Sequence, residues 1–165
     1  MSAYLSIYQT ILSAMAIMGL FVFVALYFVD AGYGKFRSKK WGYSVSNKLG
    51  WVLMEAPVCL LMIVFWWVSD RTWEIVPLVI FIIFESHYVQ RAFIFPCLIR
   101  GKSKMPISVM LMGIVFNIAN AIMQGYWIFF LSPADKYTAS WLTTPQFIIG
   151  TILFYTGWYV NLDSD

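Results

Sequence analysis

Uncharged stretches of about 20 residues recur along the chain, and short polar segments holding most of the charges separate them. An α-helix rises about 1.5 Å per residue, so roughly 20 apolar residues cross the hydrocarbon core of a bilayer. On that measure the pattern predicts five membrane spans, at residues 5–29, 49–68, 75–99, 107–131 and 147–160. The first has no charged residue in 25 positions; it is too long for a cleavable signal peptide and lacks the basic start of one. The second holds a single charge, Glu55, with Pro57 two residues on. The third is apolar at both ends and carries Glu85, His87 and Arg91 between them. The fourth is uncharged but contains Asn117, Asn120 and Gln124, whose spacing of three and then four places them on one helical face. The fifth is short and ends at Asn161, Asp163 and Asp165. With no internal repeat and no long linker, the pattern predicts one all-α, polytopic transmembrane bundle over residues 1–165.

Composition supports this reading. The chain is 61% hydrophobic and only 12% charged, with a mean hydropathy of +0.75, whereas a soluble domain is about one quarter charged. The net charge is +3 and the basic residues fall in short clusters rather than along a face, which leaves nucleic-acid binding without support. Those clusters act instead as topology signals. Lys35, Arg37, Lys39, Lys40 and Lys48 sit in the first loop and Arg100, Lys102 and Lys104 in the third, against only Arg71 and Lys136 in the opposite segments. The positive-inside rule therefore predicts an external N-terminus and a cytoplasmic first and third loop, in a bacterial inner membrane or the endoplasmic reticulum. Trp66, Trp67 and Trp73 flank the second loop as interface aromatics. Cys59 and Cys97 have no second Cys or His at ligand spacing, so they read as small hydrophobes, and no metal site is expected. Phosphate-binding loops, dinucleotide fingerprints and nucleophile elbows are absent from the sequence.

Polar residues inside spans carry the candidate chemistry, because an ionisable group at membrane depth is costly unless it faces protein or water. Glu55 admits two readings: an interfacial or Arg91-paired structural group, or a hydrogen-bonding, proton-donating group in a pocket. In the third span, His87 and Arg91 share one face and Glu85 and Tyr88 another. Arg91 is a candidate counter-ion for Glu55 or Glu85. A buried phenol such as Tyr88 beside a carboxylic acid makes a two-donor clamp for a carbonyl oxygen, the arrangement that stabilises a developing enolate. Asn117, Asn120 and Gln124 read as interhelical glue or as lining of the same cavity, and Gly150 and Gly157 as close-packing positions.

These residues fall into an ordered set. Trp51-Val-Leu-Met-Glu55-Ala-Pro57 is followed by His87-Tyr88-Val-Gln-Arg91 with Phe95-Pro96. The Arg100-Gly101-Lys102 loop then leads to Met105-Pro106, and Asn120 precedes Gln124-Gly125-Tyr126. Phe147-Ile-Ile-Gly150 finally leads to Asn161-Leu-Asp-Ser164-Asp165. In order and spacing, over roughly residues 45 to 165, the set resembles the steroid 5-alpha-reductases. The resemblance implies a seven-helix membrane reductase that moves a hydride from NADPH to the alkene carbon of a Δ4-3-oxosteroid. It implies that Glu55 and Tyr88 hold the substrate carbonyl, with Trp51 and Asn120 in the substrate pocket and Asn161, Asp165 and Arg91 toward the cofactor on the cytoplasmic side. Departures from the family pattern are Met54 in place of Gln, Gln90 in place of His and Asp163 in place of His. The family continues beyond this point with two further spans and most of its cofactor-binding segments. The resemblance thus implies a longer enzyme of which these residues are part, or a partner chain that supplies the rest. Reduction of another lipid alkene, such as a polyprenol or an enoyl thioester, is the neighbouring enzymatic alternative. A non-catalytic membrane module that binds an apolar ligand is the alternative from a different class.

Overall fold

The computed structural model describes residues 2–29 and 41–164; Lys35, Arg37, Lys39, Lys40 and Asp165 lie outside the described residues. Helix α1 spans Ser2–Ala25 and α2 spans Asn47–Val68. Helix α3, Ile75–Val89, continues through a π-helical turn at Gln90–Ile94 into the short α4, Phe95–Leu98. Helix α5, Ile107–Ala121, continues as a π-helical stretch, Ile122–Leu131. A 3-10 turn at Ala139–Thr143 precedes α6, Pro145–Ser164. Four of these rods are long and apolar enough to cross a membrane: Ala3–Ala25, Asn47–Val68, Ile75–Leu98 and Ile107–Leu131. The architecture is thus an all-α membrane bundle. The fifth expected span is also helical, but α6 is not among the four, since Gln146, Thr151, Thr156, Asn161 and Asp163 dilute its apolar run.

Helix α2 is the hub, packed by α5, α3 and both π-helical segments. Its core contact is Met62 against Ile128 and Phe129, with Phe65, Trp66, Phe81 and Phe84 around them. Two glycines let the helices approach closely. A Cβ built on Gly125 would come within 2.6 Å of Phe65 and 2.9 Å of Met62, and one on Gly113 would collide with Met54. Gly150 and Gly157, expected to be the close-packing positions, instead face open space, with nothing within 4 Å of a built Cβ. The three expected interface tryptophans form one cluster, Trp66 lying 6.1 Å from Trp67 and 5.7 Å from Trp73 between ring centroids.

Both ends of the bundle are fastened. At one end β1, Ser44–Ser46, pairs antiparallel with β2, Lys104–Pro106, and so ties the two basic loops together. This ribbon has no signal in the hydropathy pattern. At the other end Arg71 donates to the carbonyl of Ile128 at 2.9 Å and to Ser132 Oγ at 2.6 Å, capping the stretch that ends at Leu131 with a positive charge. Its Nε also donates to Glu74 at 2.8 Å. Helix α1 is attached more lightly: Tyr8 donates to the Met123 carbonyl at 3.1 Å and stacks on Trp127 at 5.6 Å.

The packing difference between the glycines is testable by thermal unfolding of detergent-purified protein. Gly125→Val is expected to cost about 1–3 kcal/mol through overpacking and to lower the midpoint by several degrees. Gly150→Ala is expected to leave the midpoint unchanged or raise it slightly, because Ala is the better helix former.

Candidate functional site

Pro57 sits inside α2 and has no N–H, so the Leu53 carbonyl one turn earlier loses its helical donor. Met54 and Glu55 lie in the turn between them, and α5 meets that turn with one side chain: Asn117 Nδ2 donates to the Met54 carbonyl at 2.8 Å and to Glu55 Oε2 at 3.0 Å. Glu55 and Asn117 are both buried, at 8% and 5% exposure. One turn along α5, Asn120 Nδ2 donates to the Tyr88 hydroxyl at 2.6 Å. Two asparagines on one helix thus each hold one acid on a different neighbouring helix. The structure therefore brings together Glu55, Tyr88 and Asn120 from the expected set and adds Asn117 as the ligand of Glu55. Gln124, expected on the same face, is exposed. The helix widens from Ile122 onward, and the extra residue per turn rotates position 124 away from the α-helical stripe.

Arg91 lies one turn beyond Tyr88, in the π-helical segment. That segment has a local cause: Pro96 cannot donate to the residue-92 carbonyl and would clash with it, so the chain widens to an i→i−5 bond from the Phe95 N–H to the Gln90 carbonyl. The Arg91 guanidinium stacks 4.4 Å from the Trp51 ring and 4.8 Å from the Phe95 ring, which themselves meet edge to face at 5.1 Å. Its charge acts on both Glu55 and Tyr88. Trp51 therefore supports the cation, and the three groups form one electrostatic unit. His87, on the flank of α3, packs its ring against Phe154 and Trp158 of α6 at 5.8 and 6.0 Å. Asn161, further along α6, is exposed.

A second buried polar pair lies one helical turn from the first. Cys59, four residues after Glu55, donates its thiol to Glu85 Oε2 at 2.7 Å, and Glu85 is three residues before Tyr88. Cys59 is 2% exposed and Glu85 9%. Expected to be merely a small hydrophobe, Cys59 is instead the partner of Glu85, because α2 and α3 run antiparallel and bring the two faces into register. The spacing of four from Glu55 was the available signal. Cys97 is exposed and bonds only within its own helix, to the Phe93 carbonyl at 3.2 Å.

A bundle of lipid-length helices that holds a buried carboxyl and a half-buried phenol on neighbouring helices, each held by an amide from a third, defines a membrane protein with an internal polar site. Comparisons with known proteins place it more closely. The family described as 3-oxo-5-alpha-steroid 4-dehydrogenase matches residues 103–165. A steroid 5-alpha-reductase of Arabidopsis thaliana is 30% identical over 148 residues, covering 86% of this chain and 56% of that protein. The 3-oxo-5-alpha-steroid 4-dehydrogenase 1 of Bos taurus is 28% identical over 152 residues, covering 90% and 58%. A steroid 5-alpha-reductase of Gossypium hirsutum is 28% identical over 164 residues, covering 97% and 63%. The family model and these relatives agree in kind: the chain is similar to the steroid 5-alpha-reductases. It spans a little over half the length of these relatives.

The Cys59–Glu85 pair makes its own prediction. Cys59→Val removes the donor and leaves a buried carboxyl without a partner, which is expected to cost about 1–3 kcal/mol. Cys59→Ser keeps a donor and is expected to retain most of the stability. The unfolding midpoints of the two variants, measured side by side in detergent, check the difference.

Proposed function

We propose that this chain is the substrate-carbonyl part of an NADPH-dependent membrane reductase acting on the C4–C5 double bond of Δ4-3-oxosteroids. The observation that supports it most directly is the pair of asparagine donors, Asn117 to Glu55 and Asn120 to Tyr88. Asn120 fills an acceptor position on the phenol oxygen and leaves the phenol's own hydrogen to be donated elsewhere. Asn117 occupies Glu55 Oε2 and leaves Oε1 to carry a proton. A substrate carbonyl lying between them accepts from a carboxylic acid and from a phenol at once.

The chemistry that NADPH supplies when bound is a hydride to the β carbon of the enone. As that bond forms, electron density moves through the conjugated system onto the carbonyl oxygen, and Glu55 and Tyr88 stabilise the charge where it develops. Donors fixed beforehand by Asn117 and Asn120 need no rearrangement at that moment, and the apolar surroundings strengthen their effect. The residues toward the cofactor suit an anionic dinucleotide in part. Arg91 offers a guanidinium just beyond α3 on the side of the basic loops, and Asn161 offers an exposed amide near the end of α6. Asp165 belongs to the same expected group but lies outside the described residues. By the positive-inside rule this is the cytoplasmic side, and the N-terminus is external. Two further spans or a partner chain complete the cofactor site.

The test uses the full-length protein with NADPH and a Δ4-3-oxosteroid. Glu55→Gln and Tyr88→Phe are each expected to lower steroid-dependent NADPH oxidation by about 100-fold or more, the usual loss for one oxyanion donor. Asn120→Leu is expected to lower kcat more than it raises KM, because it misaligns a donor without removing it. Near-wild-type turnover in Glu55→Gln contradicts the assignment. Oxidation driven by a polyprenol or enoyl thioester and not by the steroid would move the substrate class while keeping the clamp.

A further inference from the structure

Where the β1–β2 ribbon joins the two basic loops, a cleft of about 310 Å3 opens, lined by Ser44, Ser46, Asn47, Lys48, Lys102 and Lys104 among others. Among the described residues, no acidic side chain lines it and none of the three lysines is in an ion pair. Ser46 precedes α2 without capping it through its side chain; the Asn47 N–H goes to the Ser103 carbonyl, and the next first-turn N–H groups of α2 add donors and a positive helix end to the same concavity. The described lining therefore holds three cations, several neutral donors and no carboxylate, which is the donor set of a phosphate ester. Its depth selects the source. Lys48 lies in the first turn of α2, Lys104 leads into α5, and Ile99 directly follows α4, so the cleft sits where three rods meet the water. Directly beside it in sequence, Leu49 and Leu98 turn 50% and 65% of their surface outward, giving an apolar wall on the membrane side of a cationic mouth.

We propose that this cleft binds the headgroup of an anionic phospholipid, with the phosphate among Lys48, Lys102 and Lys104 and the acyl chains running down past Leu49 and Leu98. The binding fastens the ribbon, and with it the entry of α2 and α5, to one leaflet. Basic pockets between helix ends on one side of a membrane protein attract anionic lipid in this way. The site lies outside the carbonyl clamp and does not depend on the proposed reaction.

Native mass spectrometry of the full-length, detergent-purified protein, titrated with phosphatidylglycerol or phosphatidylcholine, tests it. The wild type is expected to retain phosphatidylglycerol in preference to phosphatidylcholine. Each Lys→Gln substitution at Lys48, Lys102 or Lys104 is expected to weaken that binding about fivefold, and all three together on the order of 100-fold. Lys136→Gln, at the opposite end of the bundle, is expected to change nothing. The single variants keep the test open if the triple variant does not fold. Equal retention of the two lipids, or unchanged phosphatidylglycerol binding in the variants, overturns the proposal. A triple variant that loses binding of adenosine 2′,5′-bisphosphate while keeping phosphatidylglycerol also overturns it, and assigns the cleft to a soluble phosphate ester instead.

Discussion

Two asparagines one turn apart on α5 set the geometry on which the rest of the bundle depends. In a hydrocarbon surrounding, an unpaired polar group costs several kcal/mol, so a buried acid dictates where its partner must be. Asn117 meets the demand of Glu55 and of the carbonyl beside it on α2, and Asn120 meets that of Tyr88 on α3. Satisfying both at once fixes the rotation of α5 about its own axis and the height of α2 relative to α3. Gly113 and Gly125, which admit the side chains of Met54, Met62 and Phe65, allow the close approach that these bonds require.

The irregular turns belong to the same arrangement. Pro57 interrupts α2 next to the turn that Asn117 binds, and Pro96 widens the chain that carries Arg91. A helical carbonyl keeps a second lone pair, and in mid-span Asn117 takes that of Met54. The β1–β2 ribbon and the Arg71 cap then close the two ends, so the irregular middle is held between fastened termini.

Much of this was legible in the sequence because membrane burial imposes a one-dimensional rule: spans appear as uncharged runs, and the exceptions mark polar sites. The four apolar rods, the placement of Glu55 and Tyr88 within two of them, and the Asn117–Asn120 stripe all follow from spacing. What escaped depended on contacts between distant segments or on helix irregularity. The ribbon pairs two three-residue strands far too short to show a period of two. Gln124 left its predicted face because the helix changes pitch at Ile122. Cys59 seemed apolar until the antiparallel register of α2 and α3 placed Glu85 against it. Gly150 and Gly157 have helical spacing but no packing contact among the described residues. Met54, where the family pattern has Gln, fills the notch at Gly113 and so serves packing where a polar partner for the site was expected.

The central claim is that Glu55 and Tyr88 polarise one carbonyl oxygen, and infrared difference spectroscopy reads that bond directly. With a Δ4-3-oxosteroid labelled with carbon-13 at C3 and bound to the full-length protein, the carbonyl stretch is predicted to fall well below its frequency in detergent solution. It is predicted to return most of the way in the Glu55→Gln/Tyr88→Phe double variant with the steroid still bound. A frequency that is the same in wild type and double variant would contradict the account.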